Sequence, residues 1–594
     1  PLEDLPRNTA LGVMLDTSEE TWAELNRFRI VQLLSEQMGI TPNLGGLPYL
    51  PYRIDYQAHI QPWIGDQSTV AILPSLGGLP ASMADHTVVL APIQDQSAFD
   101  NYFQMLTELL PTAPETETFR QTEILFWPSQ SGGQPNQEGP DSEAVPQTWN
   151  LVPALNLPLQ AAATGVLPGG DQSFDIEIPL PIPQPTAGGL AIAVLPDNLV
   201  AAETPAAIKT FLRYRRGGQG QLVDSPQFQR TLVHPRQPEA LVTVYGNTLE
   251  MLKFSPPEGP LLPGDWPLDL GPNLPPLETL RAINFGGTLE ALVFPTEQGM
   301  QFQGRFYYDS MPFTFGLTPQ VPQADSVLEQ LPASTYLLMS GRDLAGLWRQ
   351  VAQVADLLDS DLGFGLDDIR DGFTVLTGLD LDRDLFGWMD GEIALAAFPA
   401  TDTPFQALSP QLQMGIGLLF QTSDRPTATN TLNTADTLFT TLGFGVRSET
   451  VNDHLVTSWD LWSGWDSSPD APRQSFLSHG WVSEDTIALV SGPGTMARVM
   501  NPSPHDPLLN FPVFQNSVAS FPDPNNGYFY VNAGATLSLI YQVFDLHTVD
   551  EFQPFKPFLA SVRTLSATSS QTSDLIEFNA QLGLAPAQRT STTP

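Results

Sequence analysis

The feature that most narrows what this chain can fold into is internal repetition, because one pattern is written in it twice. Leu5-Pro6-Arg7-Asn8-Thr9, followed by an apolar run and Trp22, stands 326 residues before Leu331-Pro332-Ala333-Ser334-Thr335, again followed by an apolar run and Trp348. Asp55, Pro62-Trp63-Ile64-Gly65-Asp66 and Val70 to Pro74 match Asp380, Gly387-Trp388-Met389-Asp390-Gly391 and Leu395 to Pro399 at an offset of 325. Farther on, Leu222-Val223-Asp224-Ser225-Pro226-Gln227-Phe228 matches Leu508 to Phe514 at 286, and Tyr245-Gly246-Asn247 matches Tyr530-Val531-Asn532 at 285. The drop in offset means that the first copy has gained about 40 residues, and composition puts them in the Pro/Gly/Gln-rich span 128–189. The expected organisation is a first unit over 1–322, a second over 323–584, a boundary near Val321-Pro322 and a polar tail over 585–594.

Within each copy, helix and strand signals alternate. Thr17-Ser18-Glu19-Glu20 reads as a capping box that opens a helix carrying Trp22, Leu25 and Phe28. Asp343 can cap a helix whose stripe is Leu344, Leu347, Trp348, Val351, Ala355 and Leu358. Asp95 precedes a third, with Phe99, Tyr102, Phe103, Leu106, Leu109 and Leu110 on one face. Thr204-Pro205 starts a fourth that buries Ile208, Phe211 and Leu212 and stops at Gly217. Short β-type runs fall at Thr87–Leu90, Ala191–Leu195, Leu241–Tyr245, Phe302–Tyr308, Ile487–Val490 and Tyr528–Val531. Without regular βαβ spacing, this mixture predicts an α+β fold of two tandem homologous units, each a mainly antiparallel sheet with helices packed on one face. A parallel doubly wound fold is the alternative.

Charge excludes partners more sharply than it names them. There are 65 acidic side chains against 25 basic ones, a formal net charge of −40. Such a chain repels phosphate backbones, so nucleic acid is excluded as a principal partner, and the same field opposes anionic lipid surfaces. Cysteine is absent, which removes disulfides, thiol catalysis and thiolate metal sites, and fits an oxidising compartment. No apolar run approaches the roughly 20 residues of a membrane helix. The chain begins at Pro1 rather than methionine, so a processed signal or an anchor is expected upstream.

The repeated string carries a family resemblance. A Leu-Pro-x-x-Thr opening, a tryptophan-bearing helix, Pro62-Trp63-Ile64-Gly65-Asp66 leading to an apolar strand that ends in proline, and later Leu222 to Phe228, resemble the bacterial family catalogued as domain of unknown function 3352. The second copy departs from the pattern at Gly387 to Gly391, where the proline is lost and the Gly-Asp order is reversed. Members are frequent in cyanobacteria and commonly predicted to sit outside the cytoplasm behind an N-terminal membrane anchor. The resemblance therefore implies location and tethering, and it brings no activity with it.

Candidate chemistry is sparse. Asp380, Asp382 and Asp384 occupy positions one, three and five of an EF-hand-like start, but Leu385 replaces the turn glycine and Gly391 stands where a bidentate glutamate belongs. The first copy offers Asp55, Gln57 and His59 at the same places, a poor set of hard ligands, and Asp359-Ser360-Asp361 is a weaker partial match. Calcium is thus weighed against a simple capping turn. Trp63 and Trp388 could anchor a partner, although register-matched tryptophans beside apolar strands read better as core. Arg213, Arg215 and Arg216 form the densest positive cluster and could dock an acidic partner; placed before Gly217, they also suit a helix C-terminus. The seven histidines form no metal-binding pair, and no nucleophile elbow, phosphate loop or dinucleotide fingerprint is present. No cofactor and no catalytic residue is implied.

These readings point to a non-enzymatic extracytoplasmic scaffold, periplasmic or thylakoid-lumenal, with a protein partner and with the membrane reached only through an N-terminal segment. The alternatives are a hydrolase or ligand-binding enzyme with a carboxylate site between the copies, and a subunit of a surface assembly.

Overall fold

The computed structural model describes residues 2–38, 56–75, 82–110, 112–128, 189–215, 220–254, 287–308, 325–358, 366–462, 473–501, 507–544, 553 and 555–587. The expected insertion, apart from its ends, and the expected boundary at Val321-Pro322 lie outside them. The fold is α+β, and every strand pair with a defined register is antiparallel. The chain divides into two compact units. One comprises Pro1–Asn26, Leu34–Pro295 and Phe306–Asp309; the other comprises Arg27–Leu33, Thr296–Arg305 and Ser310–Pro594.

In the first unit the strands are β1 (Leu11–Asp16), β2 (Gln67–Ile72), β3 (Thr87–Pro92), β4 (Glu115–Phe119), β5 (Thr122–Trp127), β6 (Leu190–Val194), β7 (Asn198–Ala202), β8 (Val242–Asn247) and β9 (Gly287–Thr296). Their spatial order is β4-β5-β6-β7-β3-β2-β1-β8-β9. Next in the chain comes β10 (Gly299–Tyr308). The second unit has β11 (Leu337–Arg342), β12 (Glu392–Pro399), β13 (Met414–Gln421), β14 (Gly445–Val451), β15 (His454–Trp462), β16 (Arg473–Trp481), β17 (Thr486–Val490), β18 (Tyr528–Asn532), β19 (Val562–Gln571) and β20 (Leu575–Leu584). Their order is β14-β15-β16-β17-β13-β12-β11-β18-β19-β20.

The second unit also takes in two pieces from the N-terminal half. Arg29 N–H donates to Ala585 O at 2.8 Å and Ala587 N–H to Arg27 O at 2.7 Å, so the first residues of the expected tail are backbone-paired. Arg305 Nε lies 2.9 Å from Glu577 Oε2 on β20.

Helices cover both faces of the strands in each unit, which corrects the one-face expectation. Strand β3 turns Val88 and Leu90 toward a core that includes Ile208 and Phe211 of the Pro205–Arg215 helix. It turns Ala91 the other way, toward Phe99 and Tyr102 of the Gln96–Leu109 helix. In the second unit, Leu419 and Val490 face Met496 and Val499 of the Pro493–Met500 helix, while Phe420 and Ile487 face Ala428 of the Arg425–Thr441 helix. A strand buried on both faces does not alternate apolar with polar residues, and β6 and, after Asn198, β7 accordingly read as continuous apolar runs. The expected caps hold two of these helices and a third. Asp95 accepts from Ala98 N at 2.9 Å, Asp343 from Gly346 N at 2.8 Å, and Thr204 Oγ1 from Ala207 N at 3.2 Å.

Trp63 and Trp388 are core residues, 1% and 3% exposed, so neither ring offers a face to a partner. Each closes a wide turn in which an N–H bonds five residues back, Gln61 to Tyr56 O at 2.8 Å and Leu385 to Asp380 O at 3.3 Å. Trp63 Nε1 donates to His59 O at 2.9 Å, and Trp388 Nε1 to Asp384 O at 3.1 Å. The reversed Gly-Asp order after Trp388 has a backbone explanation. Gly391 donates to Gln421 O at 3.2 Å and accepts from Asp343 N at 2.9 Å. In the first unit those two bonds are shared between Gly65, to Pro92 O at 2.9 Å, and Asp66, from Thr17 N at 2.8 Å. A Cβ on Gly391 would sit 2.7 Å from Gln421 O, which keeps glycine there.

Trp63→Ala should cost about 3–5 kcal/mol in chemical denaturation. Trp63→Phe, which keeps a ring against Phe99 and Tyr102 but loses the bond to His59, should cost about 1–2 kcal/mol. Equal stability of all three proteins would show that the ring is not part of the core.

Candidate functional site

The acidic turn of the second unit is occupied by the protein's own donors. Asp380 caps the turn by accepting from Arg383 N at 2.8 Å. Asp382 Oδ1 accepts from Trp348 Nε1 at 2.6 Å, and its Oδ2 lies 2.9 Å from Arg370 Nε. Asp384 receives Arg383 Nε at 2.7 Å and the Asp380 N–H at 2.9 Å, and the Arg383 bond, then that N–H, hold its carboxyl below the usual carboxylate range. Oxygens that a calcium cage would need are therefore engaged. Among the described residues, no group of three or more His, Asp or Glu side chains is placed to hold a metal ion.

The basic cluster is also dispersed. Arg215 Nε pairs with Asp4 Oδ1 at 2.6 Å, and Arg213 lies over the Phe119 ring at 5.5 Å; Arg216 is outside the described residues. The end of their helix is capped by a cation that the sequence did not single out. Arg120 donates to Leu212 O at 3.0 Å and Arg213 O at 3.2 Å.

Two polar assemblies emerge that have no local motif. In the second unit, Asp436 on the Arg425–Thr441 helix accepts from Trp459 Nε1 at 2.7 Å and lies 2.9 Å from His479 Nε2. Phe439 stacks on Trp459 at 3.9 Å. His479 pairs with Thr457 and Leu489 in the sheet; the first unit has Ile192, paired with Leu125 and Ala201, at that place between its strands. Burial opposes the Asp436 charge, but hydrogen bonds from His479 and Trp459 and the imidazole charge outweigh it, leaving the carboxyl below its ordinary value. The group pins a helix to two strands.

The second assembly is a polar cavity of about 350 Å³ in the first unit, lined by Arg7, Asn8, Ser225, Arg230 and Tyr245 among others. Arg7 and Asn8 are the two variable positions of the Leu-Pro-x-x-Thr opening, whose Thr9 hydroxyl closes the turn onto Pro6 O at 2.7 Å. Arg230 comes from the Pro226–Leu232 helix and lies over the Tyr307 ring at 5.0 Å. Tyr245 stands on β8 with its ring edge-on to Phe228 at 5.1 Å and 87°. Burial raises its pKa, keeping the hydroxyl neutral.

The chain belongs to the DUF3352 family. The family model, described as a protein of unknown function, matches residues 4–584 and so takes in both assemblies. No curated protein and no solved structure matches the chain.

A third feature of this DUF3352 protein is apolar. On the Leu344–Leu358 helix, Leu347 and Val351 are exposed, four residues apart; on the Leu366–Thr377 helix, Ile369, Val375 and Leu376 are exposed, Val375 at 88%. Asp367, Asp368 and Asp371 rim the second helix. No described helix is long and apolar enough to cross a membrane.

The Asp436 assembly predicts a pH dependence. A lowered folded-state pKa contributes stability that is fully present above the unfolded value near 4 and is lost as the pH falls through the folded value. Asp436→Asn should cost about 1.5–3 kcal/mol near neutrality. In denaturation curves its deficit against the wild type should close on acidification below about pH 4; a deficit that is constant with pH would remove the charge from the explanation.

Proposed function

We propose that this chain is a non-enzymatic, extracytoplasmic interaction protein built from two copies of one unit, which docks a protein partner on the apolar helical surface of its second copy. The observation that carries the reading is the exposure of Leu347, Val351, Ile369, Val375 and Leu376 on two neighbouring helices. Clustered apolar exposure of this kind marks interaction surfaces, whereas scattered single residues do not. The aspartates beside it favour a partner with apolar anchors and a basic rim. The same aspartates and the −40 charge oppose an anionic lipid surface.

The two-copy organisation is supported by matched geometry as well as by sequence. Leu222 N–H reaches Leu5 O and Leu508 N–H reaches Leu331 O, both at 2.8 Å. Phe514 meets Tyr530 at 5.1 Å and 87°, the same values as Phe228 and Tyr245. The extracytoplasmic location rests on the absence of cysteine from a chain of 594 residues. Fractionation of the producing cell should recover the protein in the periplasm or thylakoid lumen.

The docking surface is tested with Val375→Asp/Leu376→Asp, compared with Leu408→Asp, another exposed site at 80%. A photo-reactive side chain at position 351 should cross-link one defined protein in the native cell. That yield should fall about tenfold in the double variant, the effect of losing about 1.4 kcal/mol, and stay unchanged in Leu408→Asp. Equal yields in all three proteins, or no cross-linked species, would defeat the proposal.

A further inference from the structure

We propose that the cavity of the first unit is a binding site for a small oxyanion, a ligand with a carboxylate or phosphate head group, held by Arg7 and Arg230. The proposal is independent of the docking surface, which lies in the other unit.

The first argument is charge allocation. With 65 carboxylates for 25 cations, an arginine in this chain has acidic partners in excess. Arg215, Arg305, Arg342, Arg370 and Arg447 all take one. Among the described residues, Arg7 and Arg230 take none; Arg213, over the Phe119 ring, and Arg425, over the Trp481 ring, take none either, but Arg7 and Arg230 both line one concave space of about 350 Å³. That volume lies at the small end of ligand pockets. Among the described residues, no Asp or Glu lines the space. Glu290, opposite Tyr245 on β9, is 2% exposed and is absent from its wall.

The second argument separates what the fold needs from what it does not. Tyr245 has its counterpart in Tyr530, with the same edge-on phenylalanine. Asn247 accepts from Glu250 N at 3.2 Å as Asn532 accepts from Ala535 N at 3.1 Å, so both are capping residues. These groups are explained by the architecture. The arginines are not, because the positions that match Arg7 and Arg230 in the second copy are Ala333 and Asn516, and Ser225 and Gln227 are matched by Phe511 and Val513. Only the first copy surrounds this space with two guanidinium groups, an amide and a hydroxyl.

Guanidinium donors form a planar fork that fits carboxylate and phosphate oxygens bidentately. The global field does not forbid the ligand, since at 0.15 M salt charges farther than about 8 Å are largely screened. Local cations then decide, and Tyr307 keeps the Arg230 group placed at 5.0 Å over its ring.

The test titrates the full chain with inorganic phosphate, glucose 6-phosphate, glucuronate and neutral glucose by calorimetry, alongside Arg7→Gln, Arg230→Gln and the double variant. Both arginines are exposed, so the variants should melt within about 2 °C of the wild type without ligand, which shows that they fold. At least one oxyanion should saturate the wild type, and its affinity should fall tenfold or more in each single variant. Glucose should not bind. The phosphate arm distinguishes a free ion from a phosphorylated sugar, and glucuronate distinguishes carboxylate from phosphate. Absence of saturable binding by all three oxyanions at millimolar concentration, or binding equal in wild type and double variant, would overturn the proposal.

Discussion

Burial of the central strands on both faces is the constraint from which the rest of each unit follows. A strand covered on one side only can end its apolar content at every second residue. Strands β6 and β7 instead present Leu190-Ala191-Ile192-Ala193 and Asn198-Leu199-Val200-Ala201-Ala202 with nearly every residue buried. Each face then requires its own helix, and the chain supplies Gln96–Leu109 for one and Pro205–Arg215 for the other. Small residues such as Ala191, Ala193 and Ala201 let those helices approach. Antiparallel pairing under two helical layers is an uncommon combination, because parallel sheets usually own both faces. Here the covering helices carry the chain across the sheet while adjacent strands stay antiparallel: Gln96–Leu109 leads from β3 to β4 and Pro205–Arg215 from β7 toward β8, each pair separated by three strands.

Much of this was legible in the residues. Asp95, Thr204 and Asp343 announced helix starts because a short oxygen side chain satisfies free N–H groups locally, and local chemistry survives folding. The strand runs were legible for the same reason. Their two-sided burial is legible too, in the missing alternation of Ala191–Leu195, which a strand covered on one face would not show. The capping box at Thr17 shows the opposite outcome. Thr17 hydroxyl turns instead to Gly65 O, and Asp16 accepts from Ser18 N at 2.7 Å, so one tertiary bond and one local bond from outside the box take over the start of that helix.

The polar assemblies were not legible one residue at a time. His479 and Asp436 lie 43 positions apart and meet only through the stacking of a helix on a sheet. Arg7 and Arg230 are farther apart still, and each alone resembles an ordinary surface cation. A usable signal did exist in the difference between matched places of the two units. Where both units have Tyr-x-Asn or Trp, the fold accounts for the residue; where one has histidine against isoleucine or arginine against alanine, the fold does not. Subtracting one unit from the other removes what architecture requires and leaves the residues that need another cause.

Acidity sharpens that subtraction. In a chain of balanced charge, an arginine without a carboxylate is unremarked, since exposed ion pairs are worth about 0–1 kcal/mol and often do not form. In this chain the partner supply is so large that most cations are drawn into structural work. Arg120 caps a helix, Arg342 reaches Asp325 and Glu392 behind β11, and Arg305 fastens β10 to Glu577. Glu392 is held so deeply that burial raises its pKa despite bonds from Val327 N and Ser326, which makes it an anchor for the turn before β11. Cations left facing a common space are therefore informative in proportion to the excess of carboxylates around them. Their positive potential is local, and the described residues of the wall carry hydroxyls, amides and rings in place of acids.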